Sequence, residues 1–130
     1  MSKVMLVEDD REIGRLMRLL FELEGCSVIA TGEYEEVLPL LRQAIPDVVL
    51  MDVQVQGQET IDLVRRMRQA DERVACIPVV MTSAMDYRRR CMEAGADQFI
   101  LKPFLPDEVV QEIAGLSRRQ LIEAPMPLLA

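Results

Sequence analysis

Short apolar runs recur five times along the chain, at residues 4–7, 28–30, 48–51, 77–81 and 99–101. Their length and their content of β-branched residues predict five strands. Between the runs, apolar residues recur at spacings of three and four, as at Ile13, Leu16, Met17 and Leu20, which predicts amphipathic helices. Strands that alternate with helices, and that are apolar on both faces, predict a doubly wound α/β fold around a parallel sheet.

Two prolines bear on the limits of the predicted helices. Pro39 lies inside the stretch EYEEVLPLLRQAI, so the second helix should be kinked or should begin only near Pro39. Pro106 suits the first turn of a helix and is followed by two acidic residues, so the last helix should run from there to about Arg119. The sequence therefore predicts one domain over residues 1–121, followed by a tail or truncated linker over residues 122–130.

Composition and charge narrow the classes of function. The 130 residues carry a formal net charge of −7, which argues against an extended nucleic-acid-binding surface, because such surfaces cluster lysine and arginine. The chain has no histidine, so its own side chains cannot supply a Ser-His-Asp or Cys-His mechanism. Its three cysteines are far apart, and no zinc site is expected. The N-terminal apolar run is too short for a signal peptide or a membrane span, so we expect a cytoplasmic protein.

Polar residues follow the predicted strands at the end where parallel α/β sheets place their ligands. They are Glu8, Asp9 and Asp10 after the first strand, Asp52 at the end of the third, Thr82 and Ser83 after the fourth, and Lys102 after the fifth. Taken singly, the first three and the two hydroxyl residues are ordinary helix caps, and Asp52 is an ordinary turn former. Their coincidence at matching strand ends favours one shared site.

The residue types at these strand ends favour a magnesium site. If the first and third strands are neighbours, the carboxylates of Glu8, Asp9 and Asp52 lie close together, and a cation would relieve their repulsion. An all-oxygen donor set without histidine or cysteine favours Mg²⁺, which leaves room for phosphate oxygens. Lys102 adds a compact ammonium in a chain that has thirteen arginines and only two lysines. The sequence therefore predicts a site for phosphoryl chemistry.

Four motifs resemble those of the receiver domains of two-component response regulators. They are VEDD at 7–10, DVVLMDV at 47–53, PVVMTSA at 78–84 and AGADQFILKPF at 94–104. The resemblance runs from about Lys3 to about Arg119. It implies a flavodoxin-like sheet with the strand order 2-1-3-4-5.

The resemblance also implies roles for individual residues. Asp52 resembles the phosphoacceptor of the family, Ser83 its hydroxyl residue, Phe99 its switch aromatic and Lys102 its lysine, which a cis peptide bond joins to the following proline. The implied cofactor is Mg²⁺. Its implied ligands are the carboxylates of Glu8, Asp9 and Asp52, the backbone carbonyl of Gln54, and water.

By this resemblance the chain is a signalling domain that assists its own phosphorylation and dephosphorylation, and is not an enzyme. Asp52 would take a phosphoryl group from the phosphohistidine of a sensor histidine kinase or a phosphotransfer protein. The new charge would draw Ser83 inward, Phe99 would follow, and the face made by the fourth helix, fifth strand and fifth helix would bind a downstream protein. We expect no direct contact with nucleic acid or membrane. The sequence leaves open whether phosphorylation drives homodimer formation, and whether the chain is a whole regulator, a relay intermediate or a fragment.

Departures from the family pattern keep other functions open. Gln56 replaces the usual proline and Thr60 the usual glycine, which suggests a more mobile loop after Asp52, and the stretch 83–95 is shorter than is typical. One alternative is therefore a receiver-like adaptor that works without phosphorylation. Another is an aspartate-based phosphohydrolase, although Gln54 stands where those enzymes have the second acid of a DxD motif. A flavin or nucleotide binder is disfavoured, because the chain has no GxGxxG, GKS or GKT motif.

Overall fold

A five-stranded parallel sheet forms the centre of the molecule in the computed structural model, which describes residues 2–123 and the side chains of residues 2–115. Its strands are β1 (Lys3–Val7), β2 (Ser27–Thr31), β3 (Val48–Asp52), β4 (Val79–Ser83) and β5 (Gln98–Leu101). They lie in the order β2-β1-β3-β4-β5, and every neighbouring pair is parallel. The predicted flavodoxin-like, doubly wound sheet is confirmed.

Five longer helices cover the sheet: α1 (Arg11–Leu23), α2 (Val37–Ala44), α3 (Ile61–Arg68), α4 (Arg88–Ala94) and α5 (Pro106–Glu123). A 3-10 turn at Tyr34–Glu36 and a helical turn at Glu72–Ala75 are the shorter elements. Asp10 caps α1 as expected, because its carboxylate accepts hydrogen bonds from the backbone N–H groups of Glu12 and Ile13. None of the helices within residues 2–123 is long and apolar enough to cross a membrane.

The strand side chains alternate between two hydrophobic clusters, one on each face of the sheet. Met5 and Met51 lie in the cluster that packs against α2, α3 and α4. Leu6 and Leu50 lie in the cluster that packs against α1 and α5. All four are at most 2% exposed, and full burial of one such side chain contributes about 1.5–3 kcal/mol to folding. Burial on both faces is the reason that these strands are almost continuously apolar.

Pro39 lies in the first turn of α2 (Val37–Ala44). The helix begins at Val37, directly after the 3-10 turn Tyr34–Glu36. A backbone N–H in the first turn of a helix has no acceptor within that helix, so proline removes no hydrogen bond there. Of the two predicted alternatives, the helix that begins near Pro39 is confirmed.

The predicted fourth strand was wrong by two residues. The prediction covered residues 77–81, whereas β4 is Val79–Ser83. Proline has no N–H to donate to a strand ladder, and Pro78 directly precedes the strand, where Val79 donates its N–H to the carboxylate of Asp97 at 2.8 Å. At the other end the strand pairs with β5 as far as Ser83, so Thr82 and Ser83, expected after the strand, lie inside it and are both 4% exposed.

The end of the last helix also differs from the prediction. It was expected near Arg119, whereas α5 continues to Glu123. The domain boundary expected after residue 121 therefore falls inside this helix, and it stays a prediction. Residues 124–130 of the predicted tail lie outside the described part of the chain.

The segment after β3 folds into a small β-hairpin. Gln54–Val55 pairs in antiparallel fashion with Gln58–Glu59. Gln56 and Gly57 at its tip have φ angles of 55° and 72°, which suits a two-residue hairpin turn in which both residues are left-handed. We call residues 54–59 the hairpin. The residues after Asp52 are thus paired in a hairpin with Gln56 in its turn, and the greater mobility suggested by the sequence stays a prediction.

Candidate functional site

Three charged side chains meet where β1, β3 and β5 end. Asp52 is the last residue of β3, and Glu8 and Lys102 directly follow β1 and β5. The ammonium Nζ of Lys102 lies 2.7 Å from Oδ2 of Asp52 and 3.5 Å from Oε1 of Glu8. The side chains of Asp52 and Glu8 are only 12% and 7% exposed, so the lysine balances two carboxylates that little water can reach.

The partial burial of this group affects two pKa values in characteristic ways. Burial raises the pKa of the Glu8 carboxyl and the nearby charge of Asp52 raises it further, although the Lys102 ammonium opposes both. Burial acts to lower the pKa of Lys102, but its hydrogen bond to Asp52 and the charges of Asp52 and Glu8 outweigh burial and raise it. The lysine is therefore cationic at neutral pH.

Asp52 is held in a fixed orientation from several sides. Its Oδ1 accepts a hydrogen bond from the backbone N–H of Gln54 at 3.1 Å, while Oδ2 faces Lys102. The hydroxyl of Thr60 donates to the backbone carbonyl of Asp52 at 2.7 Å. One residue further on, Val53 donates its N–H to the carbonyl of Thr82 on β4. These bonds leave the carboxylate at the sheet edge with little rotational freedom.

Asp9 lies at the same edge, where it contacts the hairpin. Its Oδ2 accepts a hydrogen bond from the backbone N–H of Gln56 at 2.8 Å. The side-chain oxygen of Gln56 in turn accepts from the N–H of Tyr34 at 3.0 Å. A proline at position 56 could not donate the first of these bonds, since it has no N–H. The contact brings Asp9 to the loop that follows Asp52.

Ser83 and Phe99 connect this edge to β4, β5 and α4. Ser83 accepts the backbone N–H of Lys102 on its carbonyl at 2.8 Å and the N–H of Met85 on its hydroxyl oxygen at 3.1 Å. The Ser83 hydroxyl acts as an acceptor in that bond, so its proton can be donated to another group. Phe99 is 3% exposed, and the guanidinium of Arg88 lies 5.5 Å from its ring centre. A cis peptide bond joins Lys102 to Pro103, as expected.

The sequence model of the family described as "Response regulator receiver domain" matches residues 4–114. The chain belongs to this family. The match spans the whole sheet except its first residue, Lys3, and includes Glu8, Asp52 and Lys102 at the sheet edge. It places the receiver domain among the proteins of two-component signal transduction.

Curated relatives agree with this assignment. The chain is 36% identical to the transcriptional regulatory protein CpxR of Escherichia coli strain K12 over 119 residues, which are 92% of this chain and 50% of that protein. It is 32% identical to the DNA-binding response regulator MtrA of Mycobacterium tuberculosis strain CDC 1551 / Oshkosh over 121 residues, which are 91% of this chain and 51% of that protein. The chain thus spans about half the length of the curated relatives it matches.

Solved structures show the same fold. The receiver domain of the Francisella response regulator 1452 superposes with a TM-score of 0.82 at 25% identity and covers 92% of this chain and 99% of that one. The chemotaxis response regulator CheY4 of Vibrio cholerae superposes with a TM-score of 0.80 at 22% identity and covers 90% of this chain and 98% of that one. The second likeness concerns the fold alone.

The receiver family implies Mg²⁺, and the donors at this edge fit that ion by their chemistry. They are carboxylate and backbone oxygens, which a hard cation prefers, and the ion usually keeps several waters. Among the side chains of residues 2–115, no three from His, Cys, Asp or Glu group tightly enough to form a metal site by themselves. Glu8 is engaged by Lys102, and Asp9 by the N–H of Gln56. Asp9 and Asp52 offer carboxylate oxygens at this edge of the type that a hard cation would use together with a backbone carbonyl and water.

The sequence did not reveal two contributors to the receiver site. Thr60 was noted only as a departure from the family pattern, but it is fully buried and its hydroxyl donates to the carbonyl of Asp52. Glu59 forms a two-pronged ion pair with Arg90 of α4. The available signal was Gly57 directly after a polar residue, a combination that is typical of a tight hairpin turn.

Proposed function

We propose that this receiver domain accepts a phosphoryl group on Asp52 from the phosphohistidine of a sensor histidine kinase or a phosphotransfer protein. The observation that carries the proposal is the contact between Lys102 and Asp52, 2.7 Å long, at the carboxyl end of β3. The pair combines an oriented nucleophile, Asp52, with a cation, Lys102, that can pair with the negative charge of the incoming phosphoryl group.

The transfer replaces one bond to phosphorus by another. A carboxylate oxygen of Asp52 forms a bond to phosphorus in line with the P–N bond that breaks. The electron pair of the P–N bond stays on the imidazole nitrogen of the donor, which leaves as neutral histidine. The product is an acyl phosphate on Asp52. In such a reaction the main contributions of the protein are to position the reacting groups and to stabilise the developing charge.

The residues around Asp52 supply that stabilisation. Lys102 leaves one carboxylate oxygen and pairs with a phosphoryl oxygen as a compact cation. The Ser83 hydroxyl donates its proton to a second phosphoryl oxygen. The Gln54 side chain, which is exposed, orients water during later hydrolysis of the acyl phosphate. Replacing Gln54 by alanine and measuring the rate of dephosphorylation tests this last role, because an unchanged rate contradicts it.

Asp9, Asp52 and the backbone carbonyl of Gln54 would hold Mg²⁺, with Glu8 beside them. When bound, the ion neutralises charge on the carboxylate and on the phosphoryl oxygens. Substituting Asp9 by asparagine should therefore weaken Mg²⁺ binding measured by calorimetry, and should leave the fold intact.

The output of the domain is proposed to be a shift in a protein-binding face. Movement of Ser83 toward the phosphoryl group and of Phe99 after it would change the surface of α4, β5 and α5, which binds a downstream protein. The same proposal includes a cytoplasmic location and a receiver domain that ends near residue 121. The domain assists its own phosphorylation but is not a turnover enzyme.

Transfer from a P–N donor tests the proposed function. The protein is mixed with Mg²⁺ and phosphoramidate, a small donor whose P–N bond stands in for that of phosphohistidine, and its intact mass is followed with time. We expect one added phosphoryl group, lost on chelation of Mg²⁺ and absent from Asp52→Asn. A folded, Mg²⁺-loaded protein that never gains the group would favour the phosphorylation-independent adaptor.

A further inference from the structure

The hairpin and the residue that follows it, Thr60, connect Asp52 to helix α4 through two sets of contacts. On one side, the hydroxyl of Thr60 donates to the carbonyl of Asp52 at 2.7 Å, and the backbone N–H of Thr60 donates to Val53 at 2.8 Å. On the other side, the carboxylate of Glu59 accepts a hydrogen bond from Nη1 of Arg90 at 3.0 Å and a second one from Nη2. Because Glu59 and Thr60 are adjacent, the backbone of the phosphoacceptor and α4 are joined through two consecutive residues.

Within helix α4 the carboxylate of Glu93 pairs with Arg89, so Arg90 takes its carboxylate partner from outside the helix. The helix has seven residues and opens with Arg88, Arg89 and Arg90, with no acidic residue in its first turn. Positive charge at the N-terminal end of a helix is unfavourable, because the peptide dipoles already place positive charge there. Asp86, just before the helix, accepts a hydrogen bond from the backbone N–H of Arg88 at 3.1 Å. Glu59 supplies the paired anion for the third arginine.

The geometry of this pair is well defined for a surface contact. The guanidinium of Arg90 makes two hydrogen bonds to one carboxylate and also lies 5.4 Å from the ring centre of Tyr87. Two-pronged arginine–carboxylate pairs fix both distance and direction. The side chains of Arg90 and Glu59 are 49% and 34% exposed, so the pair can open without unpacking the core.

We propose that the Glu59–Arg90 pair is a clamp that couples occupancy of Asp52 to the position of α4. The inference rests on the proposed function and adds a contact that acts beside Ser83 and Phe99. The clamp is closed in the arrangement in which Lys102 pairs directly with Asp52, so it stabilises that arrangement relative to any in which α4 has moved. Coupling between two sites is reciprocal. Opening the clamp therefore strengthens binding of a phosphoryl group, or of its mimic, at Asp52.

The test measures the affinity of the whole chain for beryllofluoride, a phosphoryl mimic, in the presence of Mg²⁺. The two tyrosines of the chain are replaced by fluorotyrosine, and ¹⁹F NMR follows both during the titration. Tyr87 reports on the clamp and the start of α4, whereas Tyr34 reports on the hairpin tip through its bond to Gln56. The variants are Glu59→Gln, Arg90→Gln and the charge-swapped double variant E59R/R90E. Arg89→Gln is the matched control, because it breaks the neighbouring Arg89–Glu93 pair on the same helix.

Each single clamp variant should bind beryllofluoride about two- to five-fold more tightly than wild type, the range expected for an exposed pair with good geometry. In these variants the Tyr87 resonance should already be displaced toward its bound position before the mimic is added. The swapped variant should return toward wild-type affinity, and Arg89→Gln should match wild type. Equal affinities in wild type, Glu59→Gln and Arg90→Gln overturn the clamp while leaving the proposed function intact. A wild-type chain that does not bind the mimic overturns the proposed function, and the clamp with it.

Discussion

The ammonium of Lys102 lies 2.7 Å from a carboxylate oxygen of Asp52 and 3.5 Å from one of Glu8. Lys102 is therefore the main compensation for two carboxylates at the sheet edge, and its loss has two effects. It removes attraction, and it leaves two poorly hydrated negative charges close to each other. The ammonium of Lys102, which here pairs with Asp52, can instead pair with an oxygen of a phosphoryl group bound to Asp52.

Replacing Lys102 by methionine should lower the free energy of unfolding at pH 7 by about 1–3 kcal/mol. The pKa of Glu8 is already raised, and loss of the ammonium should raise it further. A carboxyl group with a raised folded-state pKa contributes its full stability below its unfolded value and loses it as the pH rises through the folded value. The deficit of Lys102→Met should therefore shrink between pH 7 and pH 5 in urea unfolding.

Lys3→Met is the matched control for this prediction, since Lys3 is the other lysine and its ammonium donates to the backbone carbonyl of Ala44. Its deficit should change little over the same pH range. Equal pH dependence in the two variants would contradict the assignment of Lys102 as the compensating cation.

Thr60→Val should destabilise the chain by about 1–2 kcal/mol, because the carbonyl of Asp52 loses its side-chain donor with little change in side-chain volume. Thr60→Ser keeps the hydroxyl and loses a methyl group, so the two variants separate the hydrogen bond from the packing. Thr60→Val should slow phosphorylation of Asp52, whereas Thr60→Ser should not. Identical rates would argue that Thr60 only fills space.

Gly95 and Gly14 should respond to alanine with opposite signs. Gly95 has a φ of 114°, and a Cβ there would lie 2.7 Å from Cγ of Arg68, which donates to the Gly95 carbonyl at 2.9 Å. Gly95→Ala should cost at least about 1 kcal/mol. Gly14 lies inside α1, and a methyl group added there would meet nothing within 4 Å, so Gly14→Ala should stabilise by up to about 1 kcal/mol. The melting temperatures of the two variants test these opposite signs. A Gly95→Ala variant that is more stable than wild type would contradict the packing described for Arg68.

Cys91 should make the chain sensitive to alkali. It is fully buried, and burial raises the pKa of its thiol from 9.0 to about 11. Its contribution to stability is therefore complete below pH 9.0 and is lost as the pH rises through about 11. We expect a fall of roughly 1–3 kcal/mol across this window. Cys91→Ala should remove this fall in the free energy of unfolding, whereas Cys76→Ala, at an exposed cysteine, should keep it. Urea unfolding at several pH values measures the difference.

Much of the sheet edge could be predicted from the sequence because one rule governs it. Asp52 and Lys102 each follow an apolar run, and parallel strands that run in one direction end at one edge. That rule does not depend on the conformation of the loops, so it correctly placed Asp52 and Lys102 together although they are fifty positions apart in the chain. The four motifs of the family then distinguished Ser83 from Thr82, a choice that strand patterning could not make.

The contacts of the hairpin could not be predicted in this way. Its strands have two residues each, too few for any alternation to show. The pairing of Glu59 with Arg90 depends on how far α4 turns about its axis, and three consecutive arginines give no indication of which one faces the hairpin. The shift of β4 had a different cause, because Ile77 and Pro78 are as apolar as a strand, but the N–H of Ile77 bonds to the carbonyl of Val74 and Pro78 has no N–H to donate.

Phosphorylation of Asp52 can be measured by intact-mass analysis after incubation with Mg²⁺ and acetyl phosphate. We expect one phosphoryl group on the wild-type chain and on Asp62→Asn, an exposed carboxylate of α3, and none on Asp52→Asn. Wild-type protein that stays unmodified while folded, or an Asp52→Asn variant that is modified as fast as wild type, would contradict phosphorylation at Asp52.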